Sequence, residues 1–430
     1  MPVIRLKSAE YGKTGPKGRI ITLAPTAFQH LPTDIRPILP VFPQPASAGT
    51  VDGEAAGNLL SRRAFLPAAG VVRLHHRYAF LLILFSAILT AGLALYGRSF
   101  EPLTGDLTRI GWRSENDFGW TRPEERFEPL AAALGTLDAH YDVVAIGDSF
   151  TGESPWHPGT TWPHYLARDT GLDVAIFDSD DDMIGQLLAS ERFRSNPPAL
   201  VVYEIVERSL VPSQRTRPGE DCPTAMAEPK VTLAPGPPTA PPVPVTRPTA
   251  RAWNDWPASY AAAYLTQNLR RWVMGRETTN SVELDLTRGG LFSSRADREL
   301  LVYGEDFNKL DWTEADWRGA ACSLLRLQAR VEANGKTLFL AMVAPDKLTT
   351  YGPFLAAEKF RTISHLDLLA EYPALNLVRF DRDFDPASHV DLYQPNDTHW
   401  STEGHRLAAR LVERMLIAKG VLPPSVAATR

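Results

Sequence analysis

Residues 142–150 read DVVAIGDSF, a β-branched apolar run closed by Gly147-Asp148-Ser149. Unbroken apolar character without polar alternation marks a strand buried on both faces, and Gly-Asp-Ser ends it as a turn. Four further stretches read alike: 173–177 (DVAIF), 199–205 (ALVVYEI), 337–343 (TLFLAMV) and 375–380 (LNLVRF). Helical spacing is expected between or after them, over 162–170, 183–194, 314–334, 354–371 and 402–419. Strands alternating with helices imply a parallel sheet covered on both faces, so the expected fold is a three-layer α/β domain of doubly wound type over 138–420.

In such a sheet, reactive groups gather at the carboxyl ends of the strands, near the point where strand order reverses. Ser149 follows the first long strand there, with its hydroxyl free to point outward and its own N–H available to an oxyanion. Alone, Gly-Asp-Ser is equally an ordinary strand-ending turn. The second motif is Asp397-Thr398-His399-Trp400, just before the last helical stretch, for which Ser401 is a good N-cap. His399 near the positive end of that helix is expected to stay neutral, as a base must, and Asp397 is placed to orient it. Alone, this too reads as a loop histidine beside a capping aspartate. Paired in one α/β domain, the two motifs supply a nucleophile, a base and an orienting acid.

That pairing resembles the SGNH (GDSL-type) hydrolases. The DTHW-S-x-x-G-H wording is similar to the SGNH-like domains of the alginate O-acetyltransferases. Two other stretches are similar to segments of those domains: VVYEIVERSL (201–210) and Pro345-Asp346-Lys347 with Tyr351. The resemblance is spread over 142–417 and implies a flavodoxin-like α/β/α sheet and a Ser149–His399–Asp397 triad. It departs in order, because the Asp-x-His motif here follows the serine motif. The spacing is Asp-x-His rather than Asp-x-x-His. Phe177-Asp178-Ser179-Asp180 stands where the glycine block would be, and there is no Gly-x-Asn-Asp block.

The oxyanion donors beyond the Ser149 N–H are thus unassigned, and Arg208 is the candidate replacement, since a guanidinium clamps anions and sugar hydroxyls. A salt bridge to Glu204 or Glu207 is its plainer role. Lys347 and Tyr351 are expected to line the cleft, or else to sit in a solvated loop. Trp400, and with it Trp156, is a candidate platform for a sugar ring, or else packing.

Upstream, residues 78–97 (YAFLLILFSAILTAGLALYG) contain no charge. Twenty helical residues span about 30 Å, the hydrocarbon thickness of a bilayer. Tyr78 and Tyr96 close the run at both ends, as interfacial aromatic rings do. A single-pass anchor over 73–97 is expected, with a cleaved signal or a buried helix as the alternatives. Arg62, Arg63, Arg73 and Arg77 flank its N-terminal side, so the positive-inside rule puts the tail 1–72, expected to be disordered, in the cytosol. The rest is then periplasmic: a stalk over 98–137 with a short helix near 125–134, then the catalytic domain, anchored in the inner membrane. A proline-rich stretch (APGPPTAPPVPVTRPTA) lies within 212–257, read as an extended surface insertion. It is followed by an amphipathic helix over 259–275 and a hairpin over 299–311.

The bulk composition is that of a globular protein. Of 430 residues, 44% are hydrophobic and 22% charged, and a net charge of −5 offers no basic footprint for nucleic acid. The two cysteines, Cys222 and Cys322, show no metal-binding spacing and are open to one bridge or none; no cofactor is expected.

The expected activity is O-acetylation of an exported polysaccharide through an acyl-serine, and the resemblance implies a membrane-bound O-acyltransferase partner as acetyl donor. An extracytoplasmic carbohydrate esterase using the same triad is the alternative. A catalytically inactive polysaccharide-binding scaffold is the reading from another class.

Overall fold

Each of the five apolar runs forms a strand, and a sixth short strand joins them. The structure, a computed structural model, describes residues 69–97, 104–153, 158–179, 182–214, 221–223, 229–245, 257–275, 277–380 and 383–424. Of the tail expected to be disordered over 1–72, residues 1–68 lie outside the described residues, as does Trp156, and residues 69–72 are helical instead. The strands are β1 (Ala133–Leu134), β2 (Val143–Gly147), β3 (Val174–Asp178), β4 (Leu200–Val206), β5 (Leu338–Ala344) and β6 (Leu377–Val378). They form one sheet in the order β6-β5-β4-β2-β3-β1, with every neighbouring pair parallel. Val143 lies opposite Val174 on one side and Leu200 on the other. The chain leaves β2 in one direction and returns past it in the other, so strand order reverses at its carboxyl end.

Six helices matter below: α1 (Ala69–Gly97), α2 (Asp106–Gly111), α3 (Trp162–Thr170), α4 (Pro257–Met274), α5 (Glu314–Glu332) and α6 (Thr402–Ala418). Period-two alternation divides β2 between two cores. Val143 and Ala145 join the side chains of α3 and α6, while Val144 and Ile146 join those of α5. The fold is therefore mixed α/β around a buried parallel sheet. Within α1, Leu74–Gly97 has a mean hydropathy of 2.3 and is long and apolar enough to cross a membrane.

Several expectations are corrected. No helix spans 354–371. The backbone there bonds sideways, Thr287 N–H to the Phe354 carbonyl and Ala356 N–H to the Asp285 carbonyl, leaving only short 3-10 turns. The helix over 183–194 is broken at Ser190, whose hydroxyl accepts from Phe193 N–H and starts a second helix. The hairpin is formed by Ser281–Asp285 with Glu299–Tyr303, and the residues after it wind into a 3-10 helix, Gly304–Asp311.

From residue 104 the expected stalk belongs to the domain: it supplies α2, a strand Glu124–Arg126 and β1. No helix covers 125–134, where Pro129 lacks an amide donor and bars its predecessor from helical geometry. The proline-rich insertion runs extended along the surface where it is described. Leu233 is buried and its N–H reaches the Val421 carbonyl, and Val243–Val245 pairs with Glu124–Arg126. Cys222 and Cys322 form a disulfide.

Candidate active site

Gly147 ends β2, and the chain turns at once through Asp148, Ser149 and Phe150. The turn is held from the neighbouring strand. The Asp148 carboxylate accepts from Val206 N–H (2.8 Å) and Phe150 N–H (3.1 Å), while its own N–H donates to Glu204 Oε2 (3.1 Å). Glu204 is fully buried in β4 and also accepts from the Thr151 hydroxyl (2.9 Å). Burial, followed by the Asp148 charge, raises its carboxyl well above the usual range. Glycine is required at 147, because a Cβ there would lie 2.4 Å from Thr151 Oγ1 and 2.5 Å from Glu204 Oε2. The outcome is an exposed Ser149 on a rigid, buried base. Its N–H donates no hydrogen bond among the described residues, leaving it available to an oxyanion.

The structure brings Asp397 and His399 to this turn. His399 Nε2 lies 2.7 Å from Ser149 Oγ, and His399 Nδ1 lies 2.6 Å from Asp397 Oδ1. A carboxylate only accepts, so Nδ1 carries the proton and Nε2 is left to accept from the serine hydroxyl. The same oxygen of Asp397 accepts from His399 N–H (3.0 Å). Phe150 packs against the imidazole at 5.3 Å between ring centroids and limits its rotation.

The electrostatics differ from expectation. Burial disfavours the imidazolium, but the Asp397 charge and hydrogen bond outweigh it, and Asp106 adds to them. The His399 pKa is therefore raised, not lowered by the helix end. Asp397 would rise through burial, yet the His399 charge and its hydrogen bonds hold it well below the usual carboxylate range.

Sequence reasoning missed Asp106. It opens α2, and its N–H donates to Asp397 Oδ2 (2.9 Å). Its carboxylate accepts from Thr398 N–H (2.9 Å) and the Thr398 hydroxyl (2.6 Å), and Oδ2 stands 4.0 Å from His399 Nδ1. Leu107 and Thr108 N–H both donate to the Asn396 carbonyl (3.1 and 3.3 Å). This close approach needs Gly105, whose Cβ would lie 2.0 Å from that oxygen. The only local signal was an acidic residue opening a short helix after a Thr-Gly pair, which names no partner.

The four other predicted contacts separate. Arg208 lies in the short helix after β4, pairs with Asp306 (3.4 Å), not Glu204 or Glu207, and crosses the Tyr303 ring at 5.5 Å. Its charge reaches His399, which it biases toward neutrality. Lys347 and Tyr351 are buried, which corrects both the cleft and the solvated-loop expectations, and Trp400 takes the packing alternative. The Lys347 side chain is buried, and its ammonium donates to the carbonyls of Gln394 (2.8 Å), Pro395 (2.9 Å) and Asp397 (3.0 Å). Burial lowers its pKa to about 7. It holds the loop that carries Asp397. Tyr351 is fully buried, stacks on Phe292 at 4.5 Å and accepts from Tyr393 N–H (3.4 Å). Trp400 is fully buried among Phe150, Phe380 and Phe384. Burying these large rings is the dominant gain available to them.

Asp106, Asp397 and His399 place ligand atoms within 4.8 Å of one another, a spacing that also suits a cation. In this structure their oxygens are already taken by N–H and hydroxyl donors, and His399 Nε2 faces Ser149.

Compared with protein families, curated proteins and solved structures, the chain matches none of them.

Proposed function

We propose that the chain is a serine-dependent acyltransferase, and that it O-acetylates an exported polysaccharide on the outer face of the inner membrane. The reading rests on one observation: an unbroken Ser149–His399–Asp397 relay, at 2.7 and 2.6 Å, just beyond the carboxyl end of β2. Ser149 Oγ attacks the donor's acetyl carbonyl while His399 Nε2 takes its proton and passes it to the departing group. A sugar hydroxyl then attacks the acetyl-serine, giving its proton to Nε2, which returns it to Ser149 Oγ. The Ser149 N–H, with Arg208 as the candidate second donor, meets the oxyanion. A three-layer SGNH-like arrangement accords with this chemistry, as does the sheet order with strand reversal at β2.

The apolar span Leu74–Gly97 and the Cys222–Cys322 bridge support a site outside the cytosol, where disulfides persist. A membrane-bound O-acyltransferase would supply the acetyl group to this face. Hydrolysis is the second reading, favoured by the exposure of Ser149, which lets water compete with a sugar acceptor.

The test is acetate release from a chromogenic acetyl ester by the full chain in detergent, with and without polysaccharide fragments as acceptor. Release is expected to fall about a thousandfold or more in both S149A and H399A. Acetylated fragments identify the transferase, and acetate alone identifies the esterase. A wild-type rate no higher than that of the variants refutes the triad.

A further inference from the structure

The exposed face of α4 is apolar. Leu265, Leu269, Trp272 and Val273 are 44%, 58%, 81% and 68% exposed. Their spacing of four, seven and eight residues from Leu265 puts them on one helical stripe. In a helix packed on a soluble domain such a stripe faces inward. Here the inward contacts are small or polar. Ala258 and Ala261 are buried, the Arg271 guanidinium donates to the Gly111 carbonyl and pairs with Glu277 (3.2 Å), and Gln267 accepts from the Thr278 hydroxyl (3.3 Å). The helix is thus fixed in the domain by its polar side, with its largest apolar side chains turned out.

What covers that stripe follows from where α4 sits. Tyr264, on the same helix, lies within electrostatic reach of the Tyr96 phenol. Burial first and Tyr96 next raise the Tyr264 hydroxyl above its ordinary value. Tyr96 is the aromatic residue at the C-terminal end of the apolar span, the position at which tyrosine marks a membrane surface. Around it, Leu93 and Ala94 are half-buried and Gly97 is buried, whereas the preceding turns of α1 are exposed. The C-terminal end of α1, unlike its earlier turns, is thus partly covered, and α4 lies within electrostatic reach of it. Ile110 of α2, beside the Gly111 carbonyl that Arg271 holds, is also exposed and extends the apolar area. Exposed Arg270 supplies a cation for anionic headgroups.

We propose that α4 is an interfacial helix that lies in the surface of the bilayer that α1 crosses, with Leu265, Leu269, Trp272 and Val273 below the headgroups. The occupant of the stripe is lipid, and α1 and α4 together hold the domain in one orientation against the membrane. This inference rests on α1 spanning the membrane and is independent of the chemistry at Ser149.

The test uses the full chain with its disulfide intact, so that an introduced cysteine is the labelling site. W272C, L84C in the middle of α1 and L310C on an exposed turn of the domain each receive an environment-sensitive fluorophore. Each is reconstituted into phosphatidylethanolamine/phosphatidylglycerol vesicles. A label lodged roughly 5–10 Å into the interface should lose about half or more of its emission to 5-doxyl phosphatidylcholine at W272C, with little quenching by iodide. L310C should show the reverse, and L84C should respond to a deep doxyl lipid. Iodide quenching of W272C as strong as that of L310C, without lipid quenching, overturns the proposal. Shielding of W272C from both quenchers overturns it as well, because a protein partner or second copy then covers the stripe. Failure of L84C to respond removes the membrane span and the proposal with it.

Discussion

The two halves of the triad are held in different ways. The nucleophile turn is braced by its own residues and the adjacent strand: Asp148 holds Phe150, Thr151 and Gly152, and reaches Glu204 and Val206 of β4. The base loop, 394–399, is held by distant residues. Lys347 ties three of its carbonyls together, and the segment 104–108 clasps it across as many as 292 positions of sequence. A serine on a buried sheet needs little further support. A histidine on a loop owes its 2.7 Å contact to straps from distant residues. Loosening is therefore expected on the base side, where substitutions well away from Ser149 should act on the rate.

The largest effect that sharpens this contrast is expected from Asp397→Asn. An amide can donate to Nδ1 and select the wrong tautomer, so the rate should fall by about 10³–10⁴-fold with Tm little changed. Steady-state kinetics beside thermal unfolding measure both. A loss of fold with no separable rate effect would make Asp397 purely structural.

Lys347→Met comes next. It keeps the stem but removes the donor to three carbonyls; that of Gln394 keeps the Asp397 N–H (3.2 Å), and any carbonyl left buried and unpaired costs about 1–3 kcal/mol. A lowered Tm and a reduced rate well below that Tm are expected, while Ser149 should still react with a fluorophosphonate. Unchanged kinetics would mean that the loop is held without this strap.

The smallest effect is expected from Asp106→Asn, with a rate within about tenfold of wild type, since one or two hydrogen bonds of about 0.5–1.5 kcal/mol are at stake. Its signature lies in the pH profile. In the proposed reaction His399 serves as a base only when unprotonated, so activity should fall as pH drops through its raised pKa. Removing the Asp106 charge lowers that pKa and should shift the acidic limb of kcat/KM to lower pH. An unmoved limb would show that Asp397 alone sets the base.

How much was legible in advance follows the same division. The strand over 142–147 and its turn were readable because apolar β-branched runs and Gly-Asp-Ser act locally. Asp397 and His399 were readable for the same reason, being two residues apart beside an N-cap. Lys347 and Tyr351 were given tasks, cleft or solvated loop, that their burial rules out, while Trp400 took the packing alternative to a sugar platform. A motif reports that a side chain is constrained, not whether solvent or core constrains it. Trp400 among three phenylalanines and Lys347 beneath three carbonyls are both core. The absent helix over 354–371 failed differently, because its Phe354 carbonyl and Ala356 N–H found partners at Thr287 and Asp285 that periodicity cannot reveal.

The amino-acid sequence by itself determined the parallel sheet, the apolar span ending at Gly97, and the identities of Ser149, Asp397 and His399. These depend on residue type and short spacing, which bias each segment before any distant contact forms. Only the tertiary structure decided that the supposed stalk supplies Asp106, that Lys347 is a strap and not a cleft residue, and that the apolar side of α4 faces outward. Those outcomes turn on which surfaces meet when burial and hydrogen-bond demands are satisfied together, and no local window of sequence holds that information.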